Sequence, residues 1–168
     1  ATYELPTTFR RTLDAAFEAP LRVVAACLGA EIDKIMTTTE RAVASTTFPI
    51  ATTVVEEGTI AGWRFVFEGR SRESAVVTID TAWHLHDEWG IGAGWPVGEG
   101  WDLTIDAQPE LRLRWEVGPA TGARSRSPHR MDAAAAHLVN SVPVVVQAPP
   151  GIMTPADLRV AAGRWAHG

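Results

Sequence analysis

The sequence predicts an α+β fold: a mixed, mostly antiparallel sheet of about six strands, helices packed on one face, and a C-terminal helix–strand tail. Three observations lead there. Apolar residues near both ends recur at helical spacing, whereas those in the middle alternate every second residue. The strand-like segments are grouped together and do not interleave with helices, which argues against a βαβ repeat. One pair of strands matches on both of its faces at once, so its pairing can be written down residue by residue.

The first helix is expected from Thr7 or Thr8, either of which can cap it, with Phe9, Leu13, Ala16 and Phe17 on one face. Pro20 kinks or restarts it. Leu21, Val24, Ala25 and Leu28 then continue the stripe until Gly29 ends it. Residues 32–44 are rich in threonine and read as an exposed or edge strand, and Ile50 to Glu56 as a short strand before a Glu57-Gly58 turn. Trp63, Phe65 and Phe67 then face one way, with Arg64 and Glu68 the other. In the next strand Ala75, Val77, Ile79, Thr81, Trp83 and Leu85 form one face, and Ser74, Thr78, Asp80, His84 and His86 the polar face.

The double match belongs to the last hairpin, whose turn is expected at Ala107-Gln108-Pro109. Ile105 is placed opposite Leu111, Leu103 opposite Leu113 and Trp101 opposite Trp115, with Asp102 across from Arg114 on the other face. A second helix follows, capped by Ser127 with Pro128 in its first turn and ending near Asn140, because Pro143 is expected to stop it. A strand over Val142 to Gln147, a Pro149-Pro150-Gly151 elbow and a short helix opening at Thr154-Pro155-Ala156-Asp157 complete the chain. The expected organisation is a helical segment over 1–30, a sheet over 31–126 and a C-terminal helix, strand and tail over 127–168.

Composition narrows the function classes. The chain has 168 residues, enough for one domain with a real core, with 46% hydrophobic and 21% charged residues. A net charge of −5 and the lack of a basic run argue against a nucleic-acid partner. Cys27 is the single cysteine, which precludes an internal disulfide or cysteine-based zinc site and suits a reducing, cytoplasmic setting. Neither a membrane-spanning run nor a signal peptide is evident, so no membrane partner is expected.

The stretch Asn140-Ser141-Val142-Pro143, followed by an apolar run and Ala148-Pro149-Pro150-Gly151-Ile152, resembles the C-terminal segment of dihydrodipicolinate-reductase-like oxidoreductases. It is most similar to the branch containing 2,4-diaminopentanoate dehydrogenase and the NAD(P)H-dependent amine dehydrogenases, from whose usual Ala and Ile the residues Ser141 and Val142 depart conservatively. Leu21 to Asp33, Glu57 to Phe65 and Trp95 to Gly100 are similar, in the same order, to the catalytic-domain part of that branch. The resemblance implies a substrate-binding and oligomerisation domain. It also implies that NAD(P)H is held mainly by an N-terminal Rossmann domain, which this chain lacks. Gly90-Ile91-Gly92-Ala93-Gly94 does not replace it, because Trp95-Pro96 and further glycines follow where a helix must begin. The catalytic carboxylate of that branch also lies upstream. No catalytic residue, no cofactor binding and no turnover are therefore expected of this chain alone.

Several residues are candidates for the site. Trp63 and Phe65 are either an aromatic substrate wall or core, and Trp83, His84 and His86 lie on the next strand, one wall of the cavity that the resemblance implies. His84-Leu85-His86 also has the two-residue spacing of metal ligands on a strand, but a third ligand is not in reach, and no metal is expected. Asn140 either caps its helix or bonds the nicotinamide amide. Arg124, Arg126 and Arg130 could grip an anion or form a solvated loop.

The expected partners are a small amine or carbonyl substrate and further copies of the chain, paired through the sheet. The leading functional reading is a domain of an enzyme reducing C=N bonds or dehydrogenating amines, holding the reacting carbon against the nicotinamide. A non-catalytic module holding a hydrophobic ligand is the alternative, and a bare dimerisation domain the third. The alternative wants a long amphipathic final helix, which the expected helix up to Asn140 is not.

Overall fold

The computed structural model describes residues 4–86, 93–95, 100–106, 109–115 and 127–158, excepting the side chains of 127–134 and 156. Gly90 to Gly92, Ala107, Gln108, Arg124, Arg126 and the side chains of Ser127 and Arg130 lie outside that set. All described strand pairs are antiparallel, and the α+β class expected from the pattern of elements is observed. The chain divides into two compact units, Ala1–Gly98 and Glu99–Gly168.

In the first unit, α1 (Thr7–Cys27) is one continuous helix that carries Pro20 inside it. The cap differs from expectation: Pro6 occupies the N-cap position and no side chain caps the helix there. Gly29 ends the helix as expected, in the left-handed conformation (φ 68°) that glycine adopts without a Cβ penalty. Leu13, Leu21 and Ala25 are buried, following the predicted stripe.

α1 lies on a three-stranded sheet ordered β1 (Lys34–Val43), β4 (Ile60–Ser71), β5 (Ser74–His84), so the threonine-rich strand is indeed at an edge. Phe65 pairs with Thr39 and Thr81, and Phe67 with Thr37 and Ile79. Both rings turn toward α1, where Phe17 stacks on Phe67 with centroids 4.3 Å apart. With Leu13, Leu21, Ala25 and Val77 they form the main core.

The strand expected over Ile50 to Glu56 is reduced to a ribbon of β2 (Phe48–Pro49) and β3 (Val54–Val55), paired with each other. Pro49 has no N–H to extend the ladder, and Ala51 to Thr53 form the bend between the two. A second core lies beside this ribbon, with Trp95 buried against Ala42, Ala44, Val55 and Ala61.

In the second unit, β6 (Trp101–Ile105) and β7 (Leu111–Trp115) pair in the predicted register, from Trp101 opposite Trp115 to Ile105 opposite Leu111. The two indoles stack at 4.6 Å between centroids, and Arg114 Nη1 donates to Asp102 Oδ2 at 2.6 Å. That exposed pair contributes about 0.2–1 kcal/mol.

The next element corrects the sequence reading. α2 (Ser127–Gln147) runs through Asn140 and Pro143, and the strand expected over 142–147 is helix. The valine run that suggested a strand lacks polar alternation, so its periodicity does not separate a buried strand from a helix. Ser141 Oγ donates to the Leu138 carbonyl at 2.7 Å, bonding a carbonyl within the turn that Pro143 interrupts. Asn140 is half-buried within the helix and does not cap it.

The final helix is a single 3-10 turn, Pro155–Asp157. Asp157 Oδ2 accepts from the Thr154 N–H at 2.8 Å and from its hydroxyl at 2.7 Å. These donors favour the charged carboxylate and hold Asp157 below its ordinary range, the backbone bond contributing most. Its contribution to the turn is therefore complete above the unfolded-chain value near 3.9 and lost as pH falls through the lower folded value. A carboxyl NMR titration should place the Asp157 midpoint below that ordinary value; a midpoint at or above it contradicts the hydrogen bonding.

Candidate functional site

The sheet of the first unit has two chemically different faces, and the register decides which candidate belongs to which. Trp63 lies between Arg41 and Trp83, and all three share the α1 side with Phe65. Phe65 packs at 6.2 Å from the Trp63 ring and takes the edge of Trp83 at 5.3 Å. Burial separates their roles: Phe65 is 1% exposed and belongs to the core, whereas Trp83 is 45% exposed. Trp63 is half-buried, with one part of the ring on the core and another on an opening beside the start of α1.

That opening is a cavity of about 410 Å³. Glu4, Leu5, Thr7 and Arg10 come from the segment that opens α1, Thr39 and Arg41 from β1, and Trp63 from β4. Arg10 is loosely held, with a guanidinium nitrogen 3.4 Å from the Thr37 carbonyl and Nε 3.8 Å from Asp14. The Thr39 hydroxyl is buried and makes no hydrogen bond. These are binding groups: two guanidiniums, hydroxyls and an indole face, opposed by the Glu4 carboxylate. Of the seven, sequence reasoning singled out Trp63 alone. Arg41 and Thr39 were within reach, because they share the parity of Thr37 on a strand with period two. Which strand they would face was not.

The opposite face carries a charge network. Arg64 donates from Nε and Nη2 to the two oxygens of Asp80 at 2.8 and 2.7 Å, and from Nη1 to Glu40 at 3.4 Å. Glu40 also accepts the Trp95 indole N–H at 2.9 Å. The Asp80 bond, opposed by partial burial, holds the Arg64 guanidinium above its ordinary range. His84 lies on this face opposite Gly62, and His86 meets the edge of Phe48 at 5.7 Å.

The structure thus brings Trp63, Phe65 and Trp83 together and puts His84 on the other side of the sheet. Among the described residues no three His, Cys, Asp or Glu side chains converge as metal ligands. No helix among them is long and apolar enough to cross a membrane.

Asn140, in the second unit, lies in a helix whose exposed residues Leu138, Val139, Val142, Val145 and Val146 form an apolar stripe. A dinucleotide requires a glycine-rich turn at a helix start. α1 instead opens on Leu5-Pro6-Thr7-Thr8, and Ser127-Pro128 opens α2. The described residues therefore do not fit a nicotinamide cofactor's pyrophosphate, and no hydride step is derived from them.

No curated protein matches the sequence closely. Among solved structures, an amine dehydrogenase from Mycobacterium smegmatis shares the fold, with a TM-score of 0.57 and 22% identity over 98% of this chain. This chain spans 42% of the length of that one. The sequence model of the 2,4-diaminopentanoate dehydrogenase C-terminal domain matches residues 14–166. The chain belongs to that C-terminal-domain family and is an oxidoreductase-associated domain.

Proposed function

We propose that this chain is the substrate-holding and oligomerising domain of an NAD(P)H-dependent oxidoreductase that reduces C=N bonds or dehydrogenates amines. The observation that carries the reading is the family match over residues 14–166 together with a cavity of about 410 Å³ against Trp63. The cofactor is held mainly by polypeptide outside these 168 residues, and the chain alone does not turn over. Its task is positional: the cavity fixes the small amine or carbonyl compound, with Trp63 as its aromatic side and water displaced from the reacting carbon. Phe65 supports that wall from beneath. Residues 127–168 reach the cofactor-binding part, where Asn140 bonds the nicotinamide amide. The exposed apolar stripe of α2 supports such a contact, since an unpaired surface of that kind marks an interaction site.

The α2 helix is 21 residues long, so helix length no longer argues against a hydrophobic-ligand module. The family match favours the oxidoreductase reading over it. The deciding experiment supplies a nicotinamide-binding Rossmann domain of this family, fused before Ala1, and follows NAD(P)H absorbance with pentan-2-one and ammonia. Cofactor oxidation that requires both the domain and this chain is expected. Oxidation at the same rate without this chain, or neither NAD(P)H oxidation with any small ketone and ammonia nor NAD(P)+ reduction with any small amine, removes the reading.

Copies of the chain pair through the sheet face that carries Arg64. Arg64→Glu would place three carboxylates where two now share a cation. By light scattering it is expected to shift the protein to monomer at concentrations where the parent is an oligomer; a monomeric parent removes the pairing.

A further inference from the structure

We propose that the apolar face of the β6–β7 ribbon is an interface between two copies of this chain, the two ribbons closing face to face into a four-stranded sandwich. The assignment rests on the oligomerising role proposed above. To the charged face around Arg64 it adds a second, uncharged contact in the same pair of copies. Three observations carry it.

The first is the chemistry of the ribbon. Its register sets Trp101, Leu103, Ile105, Leu111, Leu113 and Trp115 on one face, and Asp102, Thr104, Arg112 and Arg114 on the other. The polar face is satisfied in water: Arg114 is bonded to Asp102 at 2.6 Å and Arg112 to Glu110 at 2.7 Å, and all four side chains are exposed. The apolar face has no such partner in water. Trp101, Leu103, Leu111, Leu113 and Trp115 each leave between 47% and 61% of their surface exposed.

The second is stability. The ribbon is a sheet of two strands, and no third described strand extends it. Two strands alone are marginal in water, and a further layer against the apolar face is what lets such a hairpin persist. A second sheet packed face to face, about 10 Å away, is such a layer.

The third is area and charge, which together point to a second copy as the cover. Two half-exposed indoles and three leucines offer on the order of 500–600 Å² per copy, so a pair brings together roughly the 1,000 Å² or more that a specific interface needs. No ionisable side chain stands on the face. When a surface meets itself across a two-fold axis, any charge near the axis meets its own like, so a face without charge is the one that self-association requires. Aromatic residues without charged neighbours are also the composition of an interface centre. The polypeptide upstream of Ala1 has its proposed seat on the α2 stripe, which leaves the ribbon to the second copy.

The test is sedimentation velocity on the 168-residue chain over a range of concentrations, with amide hydrogen exchange on the same samples. The parent should associate reversibly. As it does, exchange in β6 and β7 should slow at least tenfold, and by more than in β4, which already has a strand on either side. Leu113→Glu should raise the dissociation constant tenfold or more, whereas Thr104→Glu, on the polar face, should leave it within twofold. The exchange measurement needs only the parent, so it decides the matter if Leu113→Glu does not fold. An unchanged dissociation constant in folded Leu113→Glu would overturn the assignment, as would ribbon protection that is independent of concentration. Protection that appears only once a Rossmann domain is fused before Ala1 would make that domain the cover and overturn it too. If Leu113→Glu has no effect where Arg64→Glu gives monomers, this contact falls and pairing through the Arg64 face stands; a parent that is monomeric at every concentration removes both.

Discussion

Phe65→Ala lowers the stability of the first unit by about 3–5 kcal/mol, the range for deleting a buried aromatic ring. The ring is 1% exposed, stacks between Trp63 and Phe67, and meets the edge of Trp83. The space it fills lies between α1 and the central strand of three, so neighbouring elements cannot collapse into the void without breaking the ladder on both sides of β4. Trp83→Ala is the control: that indole is 45% exposed, and its loss should cost less than half as much. Urea unfolding followed by circular dichroism measures both. A Phe65→Ala loss below about 1 kcal/mol would mean that the layer under the cavity repacks freely, contrary to the interlocked rings described above.

Gly62→Ala is the second large effect, about 1–3 kcal/mol destabilising, from overpacking. A Cβ built at Gly62 stands 3.0 Å from the Trp83 carbonyl oxygen, 3.0 Å from His84 Cβ and 3.1 Å from Trp95 Cζ3. The first two belong to the paired strand and cannot rotate away. The third is a ring buried in the second core, with its N–H committed to Glu40. Gly69 gives the contrast. There the added Cβ meets Ile32 Cδ1, the far end of a side chain, with Cγ1 of the same residue at 3.1 Å and no backbone atom among its nearest contacts. Its displacement is offset by the roughly 0.4–1 kcal/mol that alanine gains over glycine through a less disordered unfolded chain. Gly69→Ala should therefore be the milder change by about 1 kcal/mol or more in the same urea titration; equal losses would show that backbone proximity at Gly62 is not what resists the side chain.

Much of the fold was legible because period two and period 3.6 are local properties. The β6–β7 register followed from two faces that had to match simultaneously, and it is observed pair for pair. The edge position of the threonine-rich strand followed from its polarity. The α1 stripe followed from spacing, although Phe9 and Leu28 on it are exposed. The family itself was legible from short motifs in order, Asn140 to Pro143 and Ala148 to Ile152 among them, and the match over residues 14–166 agrees.

Elsewhere local chemistry pointed the wrong way. Pro143 and the valines around it suggested a stop and a strand, yet helix continues to Gln147, as it does past Pro20 in α1. A proline removes one backbone bond and strains one turn, and flanking turns that keep their own bonds can outweigh that local penalty. The candidate site was half legible. Aromatic alternation on β4 identified Trp63 and Phe65 as partners on one face, but which of them is core and which lines an opening depends on where α1 ends its cover.

By itself, then, the sequence determined the class of fold, the faces of its strands, one complete register and the family, because each is written in spacings of a few residues. Only the tertiary structure decided that Arg10, Thr39, Arg41 and Trp63 share one cavity while His84 lies across the sheet from them. Residues on three elements, as far apart in sequence as Arg10 and Trp63, meet only once strand pairing and helix docking are fixed, and no local period encodes that meeting.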